Sequence, residues 1–120
     1  MILADSSVWI DHLNKSDPIF FRLLREAQVF VHPFVIGEIA LGNLKNRDIQ
    51  LAHMKLLPFA DAATDEEVLV MIQRHTLFGS GIGYVDAHLL ASARLSSATL
   101  WTRDNRLRQA AATLGVAQFH

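Results

Sequence analysis

The chain has 120 residues, 51% of them hydrophobic, with a net charge of −1 and no cysteine. That length suits one domain with a real core, and the modest charge argues against disorder and against a protein that coats nucleic acid. Without cysteine there is no disulfide framework, thiol nucleophile or Cys-based zinc site, and no apolar run approaches the roughly 20 residues needed to cross a bilayer. With no signal-peptide pattern at Met1, the expectation is a cytoplasmic protein with a single domain over residues 1–120.

Met1 to Ala4 is a short apolar run that reads as a buried strand. Asp5-Ser6-Ser7 follows directly, and these capping residues predict a helix carrying Val8, Trp9, Ile10 and Leu13. Asp17-Pro18 opens a second helix, with proline at its first position, extending through Phe20, Phe21, Leu23, Leu24 and Ala27. Val29 to His32 reads as a second strand. Pro33 opens a helix through Val35, Ile36, Ile39 and Ala40 toward Leu44, with Glu38 inside it. A further helix covers Asp48 to Leu56, and Leu57 to Ala60 reads as a short strand. Thr64 and Glu67 make a capping box for a helix to about Leu77. The glycine-rich break Phe78 to Gly83 precedes an Ala/Leu-rich helix from Tyr84 to Leu95, with Asp86 in its first turn. Ala98 to Thr102 reads as a strand. Asp104 caps the helix bearing Leu107, Ala110, Ala111 and Leu114, which Gly115 stops, and Val116 to Phe119 is a candidate last strand.

Strands alternating with helices predict an α/β fold with a central parallel sheet flanked by helices in three layers. Ligands bind such folds beyond the carboxyl ends of the strands, where this reading puts Asp5 and Asp104. Most of the twelve acidic residues suit caps or solvated faces. Asp5, Glu38, Asp86 and Asp104 differ because their neighbours are apolar, and a carboxylate near a core needs a partner. No set of internal lysines is available to supply one. A divalent cation would serve all four, and an oxygen-only donor set selects Mg²⁺ or Mn²⁺, ions that promote phosphodiester hydrolysis. Taken singly, Asp5 and Asp104 are equally well read as helix N-caps.

Four segments, in order, resemble the motifs of PIN domains, and closely those of the VapC toxins of bacterial toxin–antitoxin pairs. They are Ile2 to Asp11, Glu38 to Gly42, Gly83 to Ala93 and Trp101 to Leu107, and the resemblance covers essentially the whole chain. It implies a PIN-like α/β fold, RNA cleavage, and Mg²⁺ or Mn²⁺ at an acid cluster. It also implies a homodimer and a VapB-type antitoxin whose tail blocks the cleft. Carried over, Asp5 and Asp86 are the direct metal ligands, Glu38 and Asp104 complete the cluster, and Ser7 and Thr102 hold secondary hydroxyl positions. The three glycines between Phe78 and Gly83 depart from the family pattern and bear on cleft shape or substrate choice.

Other features have blander readings. The six histidines include no pair at helical i, i+4 spacing and read as surface or half-buried residues. Trp9, Phe20, Phe21 and Phe34 read as core or dimer packing before an RNA-stacking surface. Arg103, Arg106 and Arg108 fit either phosphate binding or the solvated side of a helix, and the sequence leaves that open. The alternative to a ribonuclease is a catalytically silent module of the same fold that binds RNA or protein. A receiver-type or phosphatase domain would need a lysine at a strand end, and Lys15, Lys45 and Lys55 all fall in helices or loops.

Overall fold

The computed structural model describes all 120 residues. Three short parallel strands, β1 (Ile2–Ala4), β2 (Val29–Phe30) and β3 (Thr99–Trp101), form a sheet in the order β2-β1-β3. Leu3 faces Phe30 on one side and Leu100 on the other, and Ala4 faces Trp101. All three residues of β1 are buried although their side chains alternate between the two faces, so both faces are covered. The covering layers are α1 (Ser6–Asn14), α2 (Pro18–Arg25), α3 (Pro33–Leu41), α4 (Arg47–Lys55), α5 (Asp65–Arg74), α6 (Tyr84–Leu95) and α7 (Asn105–Thr113). This is the helix-flanked parallel α/β architecture expected of the alternating pattern. No helix is long and apolar enough to cross a membrane.

The core is one cluster of mostly aliphatic side chains with three aromatic anchors, Trp9, Phe20 and Trp101. Phe20 packs against both tryptophans. The Trp9 and Phe20 rings meet edge-on at 4.8 Å, so both belong to helix packing rather than to an exposed stacking surface. Helix α6 is the most deeply set: every residue from Ala87 to Ala93 is buried. An Ala/Leu sequence suits that position, because small side chains let the helix lie close to the sheet.

Two predicted strands shrink to single parallel bridges, Val31 with Phe59 and Leu100 with Gln118. Each is held by two backbone hydrogen bonds of 2.8–3.0 Å at the margin of the sheet. Three predicted helices end early. Helix α3 stops at Leu41, before Gly42, rather than near Leu44. Helix α2 stops at Arg25 and α5 at Arg74, with Ala27 and Thr76 beyond them in the left-handed region at φ +55° and +54°. The same closure recurs after α6 and α7, where Ser97 and Gly115 take φ +50° and +69°. In all four the next residue's N–H returns to a carbonyl five positions back: Gln28 to Leu23, Leu77 to Ile72, Ala98 to Ala93, and Val116 to Ala111.

β1 lies between two partners that follow it in opposite directions, so the order of the sheet reverses at β1. The carboxyl ends of β1 and β3 therefore open into one crevice, the usual ligand position in open parallel sheets.

Candidate active site

Asp5 leaves β1 at the floor of this crevice, and its N–H extends the sheet ladder to the Trp101 carbonyl at 3.0 Å. It also caps α1, which fixes the carboxylate at the strand–helix junction. The side chain is buried and both of its oxygens are engaged. Oδ1 accepts from the Ser7 hydroxyl at 2.5 Å and from the Val8 N–H at 3.3 Å, while Oδ2 accepts a short hydrogen bond from the Thr102 hydroxyl. Thr102, itself buried, accepts in turn from the Asp104 N–H at 3.0 Å. Ser7 accepts from the Arg103 N–H at 3.1 Å. Ser7 and Thr102 thus tie the start of α1 to the loop after β3 through one carboxylate.

The other three acids stand around this floor. Glu38, one turn inside α3, accepts from the Ser6 hydroxyl at 2.9 Å through Oε1. Asp86 occupies the third position of α6, and its Oδ2 reaches back to the Gly83 N–H at 3.4 Å. Asp104 caps α7, taking the N–H groups of Arg106 and Leu107 on Oδ1 at 2.8 and 3.2 Å. Asp5 and Asp104 are therefore N-caps as well as members of the cluster.

The electrostatics join them. Burial pushes the Asp86 carboxyl above the ordinary carboxylate range, and the charges of Asp5, Asp104 and Glu38 push it the same way. The Gly83 N–H opposes this and does not cancel it. No lysine or arginine forms an ion pair with any of the four acids. No three of them close to the spacing of a ligand cage around a single ion. The result is an open, uncompensated cluster of oxygen donors. Mg²⁺ suits such a site, because it keeps several waters and uses one or two carboxylates together with substrate phosphate.

Some polar groups with no sequence signal proved structural. His32 is buried rather than half-buried, and its Nδ1 accepts the Phe34 N–H at 3.0 Å as the cap of α3. His88 is also buried, and its Nε2 meets Asp65 at 3.0 Å, on the side of α6 away from Asp86. The Tyr84 hydroxyl donates to the same Asp65 oxygen at 2.6 Å. Asp65 therefore does more than open α5: it binds α5 to α6.

The PIN domain family model matches residues 2–113. Ribonuclease VapC32 of Mycobacterium tuberculosis, in strains CDC 1551 / Oshkosh and H37Rv, is 47% identical over 118 residues, covering 98% of this chain and 95% of that protein. Among solved structures, FitAcB from Neisseria gonorrhoeae superposes with a TM-score of 0.66 at 20% identity, covering 100% of this chain and 97% of the other. PAE2754 from Pyrobaculum aerophilum gives a TM-score of 0.60 at 18% identity, with coverage of 98% and 82%. FitAB bound to the IR36 DNA fragment gives 0.59 at 21% identity, with coverage of 99% and 94%. At these identities the solved structures speak for the fold.

Proposed function

The chain belongs to the PIN domain family, and from that premise we propose that it is a Mg²⁺- or Mn²⁺-dependent endoribonuclease, the toxin of a toxin–antitoxin pair. The observation that carries this reading is the placement of Asp86: a half-buried carboxylate among three others, with no basic side chain paired to any of the four. A structural carboxylate in that position would be paired, whereas a metal-binding one is left open for its cation. The 47% identity to a ribonuclease over nearly the whole length supports the same activity.

The donor set fits a hard divalent ion, with Asp5 and Asp86 as the direct ligands and Glu38 and Asp104 completing the cluster directly or through water. Such an ion, when bound, supplies positive charge to the scissile phosphate and lowers the pKa of an attacking water. The protein's own contribution is orientation. Ser7 and Thr102 each hold one oxygen of Asp5, so this carboxylate cannot swing. Ser6 steers Glu38 toward the crevice, and Gly83 restrains one oxygen of Asp86 while leaving the other unengaged. Asp104 spends Oδ1 on the α7 cap.

The proposal includes the rest of the system: one PIN domain over residues 1–120, a homodimer, a VapB-type antitoxin covering the cleft, and a cytoplasmic setting. The test is cleavage of single-stranded RNA with Mg²⁺ or Mn²⁺ by the wild type, Asp5→Asn and Asp86→Asn. The expected loss is about 100-fold or more in either variant, the scale of removing one group that stabilises transition-state charge. Full activity in both variants would sink the proposal. RNA binding by the wild type without any cleavage would instead identify a silent binding module.

A further inference from the structure

Three arginines follow β3, and the structure separates them. The Arg103 guanidinium is paired with Asp11, lies 3.7 Å from Asp17 and sits over the Trp101 ring at 5.8 Å from its centroid. Arg108 donates through Nε to the Thr102 carbonyl at 3.0 Å. Both are spent on holding the β3–α7 loop in place. Arg106 is exposed, its backbone N–H donates to Asp104, and its guanidinium makes no hydrogen bond or ion pair. A cation two residues beyond Asp104, at the rim of four carboxylates and bonded to none, is available to an incoming anion.

Its seat comes from the glycine-rich loop. A Cβ built on Gly81 would lie 2.9 Å from Cδ, 3.0 Å from Nη1 and 3.2 Å from Cζ of Arg106. The arginine therefore rests directly on bare backbone, and any larger residue at position 81 would displace it. Gly81 also takes φ +86°, a conformation that glycine adopts at least cost.

We infer that Arg106, seated on Gly81, is the substrate-binding cation of the cleft, holding an RNA phosphate next to the one that is cut. The inference rests on the ribonuclease reading. An acid cluster repels the polyanion it must bind, and an arginine at its rim lowers that repulsion with a planar, always-charged group suited to phosphate oxygens. Arg103 and Arg108 do not serve this role, because moving either one would break contacts that fix the loop.

The test is steady-state cleavage of a single-stranded RNA oligonucleotide in Mn²⁺ across a series of salt concentrations. Arg106→Gln lowers kcat/KM about tenfold, mainly through KM, and reduces the slope of log(kcat/KM) against log[salt] by about 0.7, the value of one phosphate contact on a single strand. Arg106→Lys keeps the wild-type slope. Gly81→Ala reproduces part of the KM rise, because the flexible arginine gives way to the new Cβ. Gly79→Ala is the matched control: it carries similar strain at φ +77° with nothing within 4 Å of its Cβ, and it leaves KM unchanged. A wild-type KM and slope in Arg106→Gln overturn the inference, as does an equal effect of Gly79→Ala and Gly81→Ala. A wild type that cuts no RNA overturns the ribonuclease reading itself, and this inference with it.

Discussion

Two aspartates on opposite sides of α6 have opposite fates. Asp65 receives the Tyr84 hydroxyl and His88 Nε2, and those hydrogen bonds, Tyr84's first, draw its carboxyl below the ordinary range. Asp86 receives one backbone N–H, and burial first, then the three facing carboxylates, drives its carboxyl up. The first site is complete as it stands, with donors matched to acceptors. The second has no basic partner for its charge, and the proposed function puts the cation there. The contrast separates an acid that holds the structure together from one left without a basic partner, although both belong to the first turn of a helix and look alike in the sequence.

The largest expected difference between the two sides is in activity. Asp86→Asn should cut RNA about 100-fold more slowly than wild type, whereas Asp65→Ala should lose thermal stability and keep its cleavage rate. Equal losses of activity would erase the distinction. Next comes acid sensitivity on the Asp65 side, where His32 lies against Phe34 and His88 with ring centroids 5.1 and 6.4 Å away. Burial first, then the nearby His88, lowers the His32 pKa from 6.5 to about 4. The unfolded chain therefore binds this proton more readily. Stability from neutral His32 is fully present above pH 6.5 and is lost as pH falls toward 4, by up to about 3 kcal/mol. Urea unfolding of His32→Asn, which keeps a capping acceptor, should show a shallower slope over that window than wild type.

A smaller effect belongs to the floor of the cleft. Thr102→Val keeps the side-chain shape but removes the hydroxyl shared by Asp5 and the Asp104 N–H, which should cost about 1–2 kcal/mol. The urea midpoint should fall with an unchanged m-value. The smallest effect is a gain. Because the native state keeps the Asp86 proton longer than the unfolded chain does, ionising Asp86 opposes folding. Its favourable contribution exists at pH below the ordinary carboxylate value and is lost as pH rises through the elevated one. In EDTA at neutral pH, Asp86→Asn should melt a few degrees above wild type, and Mn²⁺ should stabilise the wild type more than the variant. A variant that melts below wild type in EDTA would show that the native carboxylate is already compensated.

What could be read in the sequence followed from how local each cause is. Asp5, Asp17 and Asp104 were legible as caps because a cap acts within three residues. The buried strands showed as short apolar runs, and the four acids stood out against apolar neighbours. Helix ends were harder. Of the four left-handed closures only Gly115 advertises itself; Ala27, Thr76 and Ser97 do the same work without glycine, so α2 and α5 looked longer than they are. The hydrogen bond from Ser6 to Glu38 and the tie of Asp65 to His88 join residues 32 and 23 positions apart, and no periodicity encodes them. The three arginines were indistinguishable until the positions of Asp11, Asp17 and Gly81 were known.

The hydrogen bond from Thr102 to Asp5 spans 97 positions of the chain. Asp5 is made well before the hydroxyl that orients it, and β1 has only β2 beside it until β3 emerges. A chain still being synthesised therefore carries every acid except Asp104 without the wall that assembles them, and the long loop must close before the crevice exists. The crevice is thus an assembly of distant segments: the acids made earlier have no settled geometry until the strand that leads to Thr102 pairs with β1.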